Sequence, residues 1–195
     1  FADEAASFIG RKHDGPFAVF LYLWAPHPPL RVPEPYDSMF PAEQIELPSN
    51  VGRPAAGEPP GRRRALAARI AEGVDQEQWR RVWAAHLGLT RLADDALGRV
   101  LTALENAGHA EETVTVFTVD HGEHLGQHGM YQKMEMYEPA LHVPLLMRVP
   151  GAGPARLHNP VSHLDVTPTF IDLFWMDSQT ELDGVSLAGC LLEGE

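Results

Sequence analysis

The sequence predicts an α/β fold, a mixed and mostly parallel sheet flanked by helices. Three observations carry this. Three runs of strand length are apolar or β-branched: Phe17 to Trp24, Thr113 to Val119, and Val143 to Val149. Residues 76–107 and 161–176 instead place apolar side chains at helical spacing. The resulting order of strand, helix, strand, strand, helix is that of helices packed on a sheet.

Residues 2–12 open with Ala5, Phe8 and Ile9 at helical spacing, and His13-Asp14-Gly15-Pro16 breaks that helix. Phe17 to Trp24 is near-continuously apolar, which predicts a central strand covered on both faces. From Ala25 to Pro60 prolines recur and no period survives, so a long irregular loop is expected, and such loops tend to be functional. Residues 76–107 read as one long helix or two abutting ones; Leu89, Leu92, Ala96, Val100, Leu101 and Leu104 form the apolar stripe, and Gly108 suits the C-terminal cap. The second strand runs into Asp120-His121-Gly122, and a polar loop follows to about Pro139. Pro150-Gly151 ends the third strand. The last helix has Asp165 as its expected cap and Pro168 in its first turn, where proline is tolerated.

The 195 residues suit one domain or a large piece of one, and 44% hydrophobic residues can bury a sizeable core. A net charge of −12 argues against a nucleic-acid partner. The one dense basic run, Arg62-Arg63-Arg64, reads as a solvated loop or helix start. The apolar runs are too short to span a bilayer. The single cysteine, Cys190, lies among apolar residues and reads as an inert thiol.

In α/β sheets ligands bind beyond the carboxyl ends of the strands. Two polar clusters fall there, Pro26-His27-Pro28 and Asp120-His121-Gly122. Asp120 and His121 offer a carboxylate and an imidazole to a divalent cation; the plainer alternative is a capping aspartate beside a surface histidine. His124 and His128 read as polar loop residues, or with His121 as a zinc site that no standard spacing supports. His27, held between prolines, could bind an anion or donate a proton. Lys133 is one of two lysines in an arginine-rich chain; it suits contact with a sulfuryl or phosphoryl oxygen, or is a surface residue.

Taken in order, these segments resemble the sulfatase family of the alkaline phosphatase superfamily. The block Thr118-Val119-Asp120-His121-Gly122-Glu123, Leu125-Gly126, His128-Gly129, Lys133, Tyr137-Glu138 and Val143-Pro144-Leu145 is similar to the family's later metal-ligand region. Pro26-His27-Pro28-Pro29 resembles its histidine loop, Asp94-Asp95 with Gly98 to Leu101 its preceding helix, and Asp183-Gly184-Val185-Ser186-Leu187 its "DG-x-SL" segment. The resemblance implies an alkaline phosphatase-like sheet, with Asp120 and His121 ligating one divalent metal, Ca2+ foremost, or Mn2+ or Mg2+. It implies that Lys133 bridges a sulfate oxygen and the nucleophile, and that His27 contacts sulfate and helps protonate the leaving alcohol. It implies a formylglycine nucleophile and a small anionic sulfate or phosphate ester as substrate.

Two departures follow. No C-x-P-x-R or S-x-P-x-R segment, the source of formylglycine, occurs in these residues, and the family's N-terminal aspartate pair has no counterpart. The chain is therefore expected to be the second half of the large catalytic domain, without the small C-terminal subdomain, inactive alone, and paired with the missing half or with a copy of itself. His121, where many arylsulfatases have Asn, also fits the phosphonate monoester and phosphodiester hydrolases of the superfamily. A non-catalytic truncated protein and an unrelated zinc hydrolase are the remaining alternatives.

Overall fold

The computed structural model describes residues 1–59 and 61–193. Pro60, counted above among the loop prolines, lies outside them, as do Gly194 and Glu195 at the end of the segment after Cys190. The chain divides into two compact units: Phe1–Ala110 with Thr118–Leu145, and Glu111–Phe117 with Leu146–Glu195.

The first unit is built on helices. Helix α1, Ala2–Ile9, buries Ala2, Ala5 and Ile9, while Phe8, grouped with Ala5 and Ile9 by its spacing, is exposed. Helix α2 is Leu66–Ile70, and helix α3, the predicted long helix, is Gln76–Asn106. Asp75 starts α3 with a reciprocal capping box: its side chain accepts from Gln78 N–H, while the Gln78 side chain accepts from Asp75 N–H. Gly108 ends it at φ 77°, with His109 N–H on Leu104 O and Gly108 N–H on Glu105 O. That pair of bonds is a Schellman cap, which requires the left-handed residue that glycine supplies.

Three small cores hold this unit together. Ile9, Leu104 and Ala110 gather Phe17, Val100 and Ala107 around the α1–α3 contact. Val51, Ala71 and Trp79 gather Leu47, Val74, Val82 and Tyr131. Ala67, Ala68 and Met130 gather Tyr137. The second places the proline-rich segment, and the third helix α2, against the polar loop that follows Asp120. A short helix α4, Glu138–Leu141, closes that loop.

The second unit holds most of the sheet. Strand β1, Thr115–Thr118, pairs with strand β2, Leu145–Arg148. The end of β1 bonds the start of β2 (Thr118 Oγ1 to Pro144 O, 2.8 Å), and Glu111 before β1 pairs with Arg148 at the end of β2 (2.6 Å). The pair is therefore antiparallel. Helix α5, Val166–Leu173, follows a 3-10 turn, and helix α6 is Ala188–Glu193. Asp165 does not cap α5 through its side chain. It forms a capping box with Ser162 across the preceding turn and accepts from Val185 N–H at 2.8 Å. These backbone N–H groups hold its carboxyl below the ordinary aspartate range. Leu187 N–H bonds the Thr169 hydroxyl at 2.9 Å, so the Asp183 to Leu187 segment is tied to α5.

The sheet differs from expectation. Among the described residues it has two strands, and they are antiparallel rather than mostly parallel. Phe17 to Trp24, predicted as a covered central strand, is paired with no strand. Its burial still alternates with the period of an extended chain: Leu21 and Leu23 are half-buried, while Phe20, Tyr22 and Trp24 are exposed. An apolar run has the composition of a buried strand, but only a paired neighbour satisfies its backbone and covers its second face.

Candidate active site

All four residues singled out from the sequence lie in the first unit. Asp120 and His121 follow β1 directly. Gly122 then passes so close to α4 that a Cβ would sit 2.0 Å from Pro139 O, which explains the glycine. Gly122 N–H bonds Ala140 O and Glu123 N–H bonds Pro139 O, fixing the loop's entrance.

The chain then makes a tight loop with Leu125, Gly126, His128, Gly129 and Gln132 all at positive φ. Two tryptophans of α3 hold its floor. Trp83 Nε1–H donates to Leu125 O at 2.8 Å, and the Trp79 ring lies where a Cβ on Gly126 would approach within 2.7 Å. Lys133 leaves this loop and points its ammonium at His27 Nε2, 2.5 Å away, across 106 residues of sequence.

The hydrogen bonds assign the His27 tautomer. Pro28 O, 2.6 Å from Nδ1, can only accept, so Nδ1 carries the proton. The Lys133 ammonium can only donate, so Nε2 presents its lone pair. Trp24 packs beside the ring with centroids 4.6 Å apart, and the His121 ring lies 6.5 Å from it.

His121 Nδ1 donates to Gly122 O at 2.9 Å, and its Nε2 stands 3.3 Å from Asp120 Oδ2. A carboxylate oxygen with an imidazole nitrogen fits a divalent ion of intermediate hardness, but it is only part of a coordination shell. No group of three or more His, Cys, Asp or Glu side chains among the described residues completes one. The same finding removes support from a zinc site on His121, His124 and His128.

His124 also departs from its reading as a polar loop residue, since it is fully buried. Its Nε2 donates to Glu135 O at 3.2 Å. Burial, and then the neighbouring His128, hold its pKa below the ordinary histidine value. Lys133 is half-buried, not a surface residue.

Sequence reasoning assigned no role to several residues that build the site. Glu123 lies within the loop, and burial pushes its carboxyl up, against the N–H groups of Leu125 and Gln132, the Lys133 charge and the His124 N–H. Arg62 pairs with Glu135, and Arg63 with Glu58 at 2.5 Å; the basic run forms the 3-10 turn Arg62–Arg64, in keeping with its reading as a loop or helix start, and Arg63 and Arg64 are exposed. Tyr137 stacks on His128 with centroids 4.6 Å apart. The acidic partners Glu58 and Glu135 were the available signal, but nothing local in sequence shows which charges meet.

The chain is similar to several known proteins. A protein from Trinickia caryophylli, "Multifunctional alkaline phosphatase superfamily protein PehA", is 30% identical over 100% of this chain and 41% of its own length. A "Sulfatase" from Formosa agariphila is 27% identical over 96% of the chain and 38% of its own. The chain thus spans about two fifths of the length of these curated relatives. Among solved structures, the phosphonate monoester hydrolase of Agrobacterium radiobacter matches with a TM-score of 0.82 and 26% identity, over 100% of this chain and 42% of that one. The family model described as Sulfatase covers residues 1–176, and the chain belongs to the sulfatase family.

Proposed function

We propose that these residues form half of the active site of a metal-dependent hydrolase of sulfuric esters. The observation that carries the reading is the meeting of Lys133 and His27 at 2.5 Å beside the Asp120–His121 pair. An ammonium, an imidazole and a two-ligand metal position, drawn from three separate segments, suit an anionic ester. The nucleophile has to come from outside these residues, because no Cys-x-Pro-x-Arg or Ser-x-Pro-x-Arg segment occurs within them. In this reading the chain is the later portion of a sulfatase-type catalytic domain, a formylglycine is supplied by the remainder, and the 195 residues alone do not turn over substrate.

A divalent cation, with Ca2+ preferred over Mn2+ or Mg2+, would be held by Asp120 and His121 Nε2 and would screen the negative charge of the ester oxygens. The remaining steps belong to the protein. Lys133 donates from Nζ to a non-bridging oxygen and orients the ester. The entering oxygen takes over the hydrogen bond that Lys133 now gives to His27. His27, with Nδ1–H fixed on Pro28 O, is then free to take up a proton from water on Nε2 and to pass it to the alkoxide oxygen as the ester bond to that oxygen breaks.

A second reading, hydrolysis of phosphonate monoesters or phosphodiesters, is favoured by the fold match to the Agrobacterium enzyme at TM-score 0.82. The deciding experiment measures hydrolysis of an aryl sulfate beside an aryl phosphodiester by a full-length protein carrying these residues, as wild type and as Asp120→Ala, His27→Ala and Lys133→Ala. Preferential sulfate hydrolysis that falls at least ~100-fold in each variant supports the first reading. Faster phosphodiester hydrolysis transfers the site to the second. Activity untouched by all three substitutions overturns both.

A further inference from the structure

The loop that delivers Lys133 is conformationally expensive. Leu125, His128 and Gln132 sit at φ 47°, 56° and 68°, where each side chain costs roughly 1–2 kcal/mol. A loop of this kind keeps its shape only where outside contacts over-determine it. Those contacts come from the proline-rich segment and from helix α2. Gly52 N–H bonds Gly126 O at 2.8 Å, His128 N–H bonds Asn50 O at 3.1 Å, and Tyr131 N–H bonds Ala67 O at 3.0 Å.

One side chain holds the tip. Arg63 donates from Nη2 to His128 O at 2.9 Å and from Nη1 to Gly129 O at 3.2 Å. Its Nε and Nη2 also grip the Glu58 carboxylate at 2.7 and 2.5 Å. A planar guanidinium can hold a carboxylate on one edge and two consecutive carbonyls on the other, which a lysine cannot do. Hydrogen bonding also holds the Glu58 carboxyl below the ordinary glutamate range. From Gly129 the chain passes through Met130, whose O accepts from Gly126 N–H, and reaches Lys133 four residues on.

We propose that Arg63, braced by Glu58, is a positioning residue that sets where the Lys133 ammonium stands. This rests on the reading of Lys133 as the anion-binding cation. The chain holds two lysines, Lys12 and Lys133, so carbon-13 labelling of lysine Cε gives two resonances, assigned by Lys133→Ala. The probe is sodium sulfate titrated into the 195-residue chain. In wild type the Lys133 resonance should stand apart from that of Lys12 and move with sulfate. In Arg63→Ala, with far-UV circular dichroism unchanged, it should shift toward the Lys12 position, and the sulfate affinity it reports should fall about tenfold. Glu58→Gln, which keeps the guanidinium and loosens its brace, should fall between the two and carries the test if Arg63→Ala does not fold.

A Lys133 resonance that overlays wild type in both variants, with and without sulfate, overturns the proposal. If the wild-type Lys133 resonance ignores sulfate in these residues alone, the titration is repeated on a full-length protein that carries them, where no response overturns the functional reading; the sulfate-free spectra judge in either case whether Arg63 positions Lys133.

Discussion

Two stretches of the first unit invert the usual relation between polarity and burial. The loop from His121 to Tyr137 is rich in polar residues, yet His124 and Met130 are 0% exposed. The run from Phe17 to Trp24 is almost wholly apolar, yet Phe20, Tyr22 and Trp24 are 73, 82 and 69% exposed. The loop is covered because each neighbour it needs lies within these residues: the segment from Leu47 to Ala68, α3, and α4. The run presents a face that nothing among the described residues of the first unit covers. Burial follows from complementary partners, and composition supplies only one side of the match.

The comparison breaks most severely at Trp79. This side chain is 2% exposed and joins Val51, Ala71, Leu47, Val74, Val82 and Tyr131 beneath the loop. Trp79→Ala is expected to destabilise the chain by about 3–5 kcal/mol, read as a fall in the urea midpoint. A change below about 1 kcal/mol would mean that the loop does not depend on its floor.

Gly126 tests the same contact from the other side. At φ 89° and with a Cβ position 2.7 Å from the Trp79 ring, Gly126→Ala meets both backbone strain and a rigid neighbour. The expected loss is about 2–4 kcal/mol, by the same denaturation measurement. Gly153, where an added Cβ meets nothing within 4 Å, provides the control, and Gly153→Ala should be near neutral.

These residues mark how far the sequence was legible. The helices were, because their stripes and caps are local: the predicted 76–107 is α3 at Gln76–Asn106, with Gly108 just beyond it. The positions of β1 and β2 were legible, β1 from its β-branched composition and β2 from its apolar run. The sheet was not, because pairing and direction depend on segments far apart, and an apolar run looks the same whether or not a partner lies beside it. At the site, Asp120 and His121 stood out as adjacent candidate ligands at a strand end. The Lys133–His27 contact did not follow from any spacing. It depends on the Arg63 clamp and the two tryptophans, none of which has chemistry that draws attention to it.

His124 sharpens the comparison by pH. Its folded pKa is lowered from 6.5 by burial, so below that value the unfolded chain takes up a proton that the folded chain resists. Stability is then full above the unfolded pKa and declines as pH falls below about 6.5 toward the lowered folded value. His86 on α3, also lowered by burial, adds to the same trend. Replacing His124 with Gln should reduce the slope of melting temperature against pH in this window without abolishing it. An unchanged slope would mean that the loop opens to water before it titrates.

The smallest stability effect is expected in the apolar run, and it carries the other half of the comparison. Phe20 and Tyr22 are already solvated, so Phe20→Ser with Tyr22→Ser removes little buried area and should change the unfolding free energy by less than about 0.5 kcal/mol. Association is where the substitution should register. An exposed apolar strip of strand-like alternation offers a template for a second chain or a complementary segment. Sedimentation velocity should show concentration-dependent oligomers for the wild-type chain and a shift toward monomer for the double variant. A monodisperse wild-type monomer would show that exposure of these rings is tolerated in this chain. Loss of stability above about 2 kcal/mol in the variant would show that the rings are packed in solution, against a face that the folded unit itself provides.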